Sequence, residues 1–184
     1  MRIAIKGTSG SGKTTLGGRI SRVLEIPHIE LDALNWEPGW RDLSHEDLDE
    51  FRRRVQTATS GPEWVICGSY SSVDDLILGS ATHLVWLDYG RPRVMVQVIT
   101  RSVARAISGQ ELWPGTGNRE DFRRWLSPEH PIRWAWSTHA RRRATISPKL
   151  EQPAFRHLEL EHLRTPRDAR RLLERLGRDR APGP

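Results

Sequence analysis

Residues 7–15 read GTSGSGKTT, six residues into the chain. Gly7, Gly12, Lys13 and Thr14 have the full spacing of a loop that wraps phosphates. Glycines there let successive backbone N–H groups turn inward, and a helix that starts at the loop's end adds the positive end of its dipole. The pattern needs a strand before it and a helix after it. RIAIK (2–6) supplies an apolar-alternating strand. Leu16, Ile20, Val23 and Leu24 then fall on one face of a helix predicted over 14–25. The candidate phosphate site is therefore Gly7, Thr8, Ser9, Gly10, Ser11, Gly12, Lys13, Thr14 and Thr15. Lys13 suits the β- and γ-phosphates of a nucleotide, and Thr14 suits Mg²⁺.

Working outward, strands alternate with helices. HIEL (28–31) reads as a second strand, and 32–43 as a loop holding Trp36 and Trp40. Ser44 and Asp47 read as a capping pair before a helix carrying Leu48, Phe51, Val55 and Ala58. EWVIC (63–67) and HLVWLD (83–88) are buried strands, each followed by a helix, over 72–79 and 91–107. The Gly- and Pro-rich stretch 108–128 is expected to be a mobile lid. A helix over 132–146, a strand RHLEL (156–160) and a last helix from Thr165-Pro166 to Gly177 complete a single domain over 1–177. Residues 178–184 are expected to be a disordered tail. This alternation predicts an α/β fold with a mainly parallel sheet, whose ligands lie beyond the carboxyl ends of the strands.

The bulk numbers limit the function classes. No run of 18 apolar residues exists, so no membrane-spanning helix is expected. The phosphate loop lies where an apolar export segment would sit, and there is one cysteine, Cys67; both point to the cytoplasm. Of the net charge of +6, residues 101–143 hold a large share, with nine arginines against four acids. Arginine recognises phosphate bidentately, so the cluster fits a small phosphorylated ligand, with nucleic acid as a less favoured partner and a solvated face as the bland reading.

Individual residues then stand out. Asp32 follows the second strand, and Asp88 ends the strand HLVWLD. Either carboxylate suits a metal's water shell or a helix cap, and Asp32 also suits a substrate hydroxyl. Arg101 and Arg105 sit at the edge of one helix's apolar stripe, and Arg119 lies in the lid. Arginines so placed suit the charge on a transferring phosphoryl group. Trp64 and Trp86 read as core, whereas Trp36 and Trp40 suit the wall of an acceptor pocket. His28, His83 and His139 show no metal-ligand spacing.

The segments MRIAIKGTSGSGKTTLGGRI, HIELDALNWEPGW, WVICGSYSS, VWLDYGRPRV and ELWPGTGNRE resemble the adenylate-kinase-related P-loop family that includes proteins labelled topology modulation protein or FlaR-like. The similarity spans about residues 1–143. It implies a nucleoside-monophosphate-kinase-like P-loop NTPase: a five-stranded parallel core sheet flanked by helices, a helical lid, ATP as donor and Mg²⁺ as its cation. By position it implies phosphate and metal contacts at Lys13 and Thr14, an acceptor-side carboxylate at Asp32, and lid arginines at Arg101, Arg105 and Arg119. The label also implies a second class, a nucleotide-dependent DNA-binding or regulatory ATPase. Two departures stand out. Cys67 and Ser69 replace the Asp and Asn of the family's Asp-Gly-Asn, and Pro114-Gly115-Thr116 lengthens the lid. A thiol is a poor partner for hard Mg²⁺, so loose metal binding and slow turnover are expected.

Overall fold

The computed structural model describes residues 1–122, 125, 130–150 and 152–180. Five strands form one parallel sheet: β1 (Arg2–Gly7), β2 (His28–Glu30), β5 (Trp64–Cys67), β6 (His83–Leu87) and β7 (Glu159–Leu163). Their order across the sheet is β2-β5-β1-β6-β7. β1 is central, pairing Ile3 with Val65 on one side and with His83 on the other. The chain leaves β1 toward one half of the sheet and later returns to the other, so the end of β1 is the topological switch point where such sheets bind ligands.

Both faces are covered, which is why the inner strands β5 and β6 read as near-continuous apolar runs, whereas the edge strands β2 and β7 carry polar residues. Ile3, Ile5, Val65, Cys67, Val85 and Leu87 face a core with α1 (Lys13–Leu24), α6 (Arg91–Ser108), α7 (Pro131–Leu150) and α8 (Pro166–Arg180). Ala4, Ile66 and Leu84 face the second core, with α2 (Leu31–Asn35), α3 (Leu43–Glu46), α4 (Leu48–Ala58) and α5 (Asp74–Ser80). Trp64 and Trp86 are core, as expected. Lys6 carries the only charged side chain of β1 inside the protein, and it is neutralised by Asp74 at 2.6 Å, at the start of α5. Among the described residues no helix is long and apolar enough to cross a membrane.

Four sequence expectations are corrected. The loop over 32–43 is instead α2 followed by a small antiparallel hairpin, β3 (Trp36–Glu37) and β4 (Arg41–Asp42). Ser44 and Asp47 do not form one capping pair. Asp42 accepts from Ser44 N–H to cap α3, and Asp47 accepts from Glu50 N–H to cap α4. The last strand lies three residues later than RHLEL, because pairing along β6 sets its register from His83↔Glu159 to Leu87↔Leu163. The last helix continues through Gly177 to Arg180, since Gly177 stays helical and lacks the left-handed turn that would stop it. The remainder of the expected tail, 181–184, and lid positions 123, 124 and 126–128 lie outside the described residues.

Candidate active site

The phosphate loop joins the end of β1 to the start of α1, as its spacing requires. Gly10 and Gly12 have φ of 81° and 91°, a region costly for any residue with a Cβ. A Cβ on Gly10 would also meet Val98 Cβ at 2.7 Å, so the loop's tip packs directly on α6. The ammonium of Lys13 donates to the carbonyls of Gly7 and Thr8, both at 3.0 Å, which keeps its charge over the loop. Ser69 donates to the same Gly7 carbonyl at 3.2 Å. The Ser11 hydroxyl is buried with no hydrogen-bond partner among the described residues. A buried orphan of this kind is unfavourable in a plain structural loop and fits a phosphate oxygen.

Around Thr14 the structure gathers groups from β2 and β5. The Thr14 hydroxyl donates to Glu30 Oε2 at 3.4 Å and lies 3.7 Å from Cys67 Sγ. Cys67 Sγ in turn lies 3.4 Å from His28 Nε2. Burial, more than the opposing Thr14 hydroxyl, pushes the Cys67 thiol up to about 11. Burial also lowers His28, with Glu30 acting against it. The thiol is therefore neutral near pH 7, and the oxygen donors beside it are Thr14 and Glu30. Those two suit Mg²⁺, which takes one or two protein oxygens plus phosphate oxygens. Among the described residues no group of three or more His, Cys, Asp or Glu side chains is arranged to hold a metal unaided.

The two carboxylates singled out from sequence part company. Asp88 is buried, and its Oδ2 lies 3.0 Å from His162 Nε2, whose ring stacks on Trp86 at 4.2 Å. Asp32 is exposed on α2, and its Oδ1 accepts the Tyr70 phenol at 2.8 Å. Burial, then the Asp32 charge, drives the Tyr70 phenol far above its ordinary range, so it stays protonated and donates.

Arg101 lies on the inner edge of α6, with its Nε buried and without a hydrogen-bond partner among the described residues. Desolvation first, then the neighbouring Arg105, pull its guanidinium down, while Asp32 and Glu120 act against them. Arg101 thus shares an electrostatic environment with Asp32. Arg119 is exposed, and its backbone bridges to Glu111. Sequence reasoning missed Glu30, Tyr70, Trp113 and Asn118. Glu30 and Tyr70 carried a usable signal, since each ends or closely follows a strand at the carboxyl edge of the sheet.

Solved structures share this fold. A shikimate kinase from Bacteroides thetaiotaomicron aligns over 97% of this chain and 97% of its own, with TM-score 0.56 and 15% identity. A gluconokinase from Sinorhizobium meliloti 1021 aligns over 97% and 94%, with TM-score 0.51 and 18% identity. A shikimate kinase from Acinetobacter baumannii in complex with shikimate aligns over 95% and 89%, with TM-score 0.51 and 17% identity. The fold is that of the P-loop kinases: a parallel five-stranded sheet flanked by helices, with the phosphate loop at the end of its central strand. No protein-family model matches the sequence, and no curated protein matches it.

Proposed function

We propose that this chain transfers the γ-phosphoryl group of Mg·ATP to a hydroxyl of a small acceptor. The observation that carries this reading is the loop at Gly7–Thr15, with its left-handed glycines, the Lys13 ammonium held over it and the orphaned Ser11 hydroxyl inside it. Mg·ATP is the donor substrate. Lys13 and the loop amides hold its phosphates, and Thr14 with Glu30 holds the cation. Arg101, Arg105 and Arg119 supply positive charge to the group in transit, which is most of what a protein contributes to this reaction.

The acceptor side favours an alcohol over a phosphate. Asp32 has one oxygen fixed by Tyr70, which leaves the other to take the proton of an acceptor hydroxyl. The hydroxyl oxygen bonds to phosphorus, the bond to the β-phosphate oxygen breaks, ADP departs, and the proton goes to Asp32. A phosphate acceptor needs no such base. Kinship with the adenylate-kinase-related, topology-modulation-like group belongs to the same proposal. It is supported by the contact between its two most specific segments, DALNWEPGW and ELWPGTGNRE, in this fold.

The test is a screen of ATP consumption over alcohols, nucleosides and nucleoside monophosphates, with Lys13→Ala and Asp32→Asn beside the wild type. Lys13→Ala should abolish nucleotide binding at an unchanged melting temperature. Asp32→Asn should keep ATP binding and lose about 10²-fold or more in turnover with an alcohol, the usual contribution of a general base. Undisturbed ATP binding in Lys13→Ala would overturn the donor site. Equal turnover of a nucleoside monophosphate by wild type and Asp32→Asn would overturn the hydroxyl acceptor.

A further inference from the structure

The hairpin after α2 turns at Pro38-Gly39, a favoured turn pair, but it leaves Trp40 in a conformation that its side chain does not favour. Gly39 and Trp40 both have positive φ, 73° and 66°. Glycine adopts this freely, but a bulky residue such as tryptophan does so only where its surroundings insist. The hairpin ladder is two residues long on each side, too short to impose the turn. What holds it comes from the lid, nearly eighty residues away.

Asn118 is buried, and its side-chain amide spans the turn. Nδ2 donates to the Glu37 carbonyl at 2.9 Å, and Oδ1 accepts from the Trp40 N–H at 3.1 Å. The amide's orientation is forced by its partners, since a carbonyl only accepts and an N–H only donates. Asn118 is equally fixed within the lid, where its N–H donates to Thr116 Oγ1 at 3.2 Å and its carbonyl accepts from Leu112 N–H at 2.8 Å. Trp113 of the lid adds a second tie. It stacks on Trp36 at 6.1 Å and meets Trp40 edge-on at 6.1 Å, while Trp36 and Trp40 meet at 5.6 Å. Below the hairpin, Glu37 is gripped by Arg54 at 2.5 Å and Arg41 at 2.8 Å, which ties the assembly to α4.

We propose that Asn118 is a positioning residue that clasps the lid segment 111–119 to the acceptor hairpin 36–42, so that the two move as one body. A lid free of the hairpin would close over ATP alone. A clasped lid carries the wall of the acceptor pocket with it. The consequence for an acceptor rests on the kinase reading above; the clasp itself does not.

Two variants on opposite sides of the clasp test it, with trypsin cleavage after Arg41 and after Arg119 followed by mass spectrometry. Asn118→Ala strips the lid's grip. Trp40→Gly removes the ring from the hairpin side and accepts the positive φ. Each variant should speed cleavage at both bonds together, by roughly tenfold for Asn118→Ala, the scale of a buried N–H and carbonyl losing their partners. Cleavage that speeds only on the mutated side, at an unchanged global melting temperature, would overturn the proposal. The crossed design keeps the answer available from either variant if the other does not fold. Once an acceptor is in hand, Asn118→Ala should raise its KM about tenfold and leave ATP affinity unchanged. A fall in kcat alone would overturn the positioning role. Failure to bind ATP at all would overturn the kinase reading and leave the crossed cleavage result to decide the clasp.

Discussion

The Tyr70 phenol donates to Asp32 Oδ1 at 2.8 Å and leans on Phe51 with ring centroids 5.1 Å apart. One aromatic residue thus links a core position to the exposed carboxylate of Asp32. Tyr70→Phe keeps the ring against Phe51 and deletes only the donor. Stability should fall by about 1 kcal/mol or less, since Asp32 is open to water and can replace the lost bond. Turnover should fall about tenfold, because Asp32 then samples orientations useless for taking a proton. Melting curves and steady-state kinetics decide this. Unchanged kcat in Tyr70→Phe would show that Asp32 needs no support.

The second prediction separates two acids. Glu30 reaches the Thr14 hydroxyl, whereas Asp88 is engaged by His162. Glu30→Gln should raise the Mg²⁺ concentration needed for ATP binding several-fold, with little loss of stability at this partly exposed site. Asp88→Asn should do the reverse and lower the melting temperature, because the carboxylate is buried against an imidazole. Calorimetric titration of ATP at graded Mg²⁺ distinguishes them. A metal requirement that moves with Asp88 and not with Glu30 would reassign the cation.

The difference between these acids also explains what could be read from the sequence. The phosphate loop was legible because its chemistry is local: every glycine, Lys13 and Thr14 lie within a few residues, between an obvious strand and an obvious helix. The buried strands were legible because covering both sheet faces leaves an unbroken apolar run. Asp88's contact with His162 was not legible because His162 lies 74 positions away in a strand whose register is set only by pairing. The hairpin at 36–42 read as a loop for a similar reason. Its two-residue strands carry no periodicity, and the left-handed Trp40 makes sense only once Asn118 is beside it. Tertiary contacts decided these places, and local propensity had nothing to say about them.

A third prediction concerns pH. Asp168 accepts from the N–H groups of Thr165 at 2.7 Å and Arg164 at 3.0 Å, closing the start of α8. These bonds, Thr165's first, hold its carboxyl below the ordinary range. A depressed acid contributes stability that is fully present above its unfolded pKa and is lost as pH falls through the folded value. The helix it caps buries Leu172 and Leu176 against the main core, so fraying there should register in the global transition. Wild type should therefore melt higher than Asp168→Asn above about pH 5, with the gap closing as the medium is acidified through the carboxylate range. A gap that stays constant with pH would mean that the bonds owe nothing to the charge.

The last prediction concerns Cys67, which ends β5 and places sulfur 3.7 Å from the Thr14 hydroxyl. A thiol in place of a carboxylate at this position has a chemical cost for a cation site. Burial keeps the thiol protonated, with its pKa raised to about 11. A neutral thiol offers a hard cation almost nothing, since Mg²⁺ prefers charged or carbonyl oxygens. On the proposed kinase reading Thr14 and Glu30 would be left to hold the ion, and the wild type should need more Mg²⁺ for half-maximal ATP turnover than Cys67→Asp. The carboxylate would enter a site already containing Glu30, and that like charge raises its own cost until a cation arrives. Cys67→Asp should therefore be less stable than wild type without Mg²⁺ and regain stability as Mg²⁺ and ATP are added. Cys67→Ser serves as the control, because it changes polarity without adding charge. Melting curves at graded Mg²⁺, with and without ATP, give the result apart from any assay of turnover. If Cys67→Asp and Cys67→Ser respond identically to the ion, position 67 does not face it, and Cys67 is a core residue beside a metal site built from Thr14 and Glu30 alone.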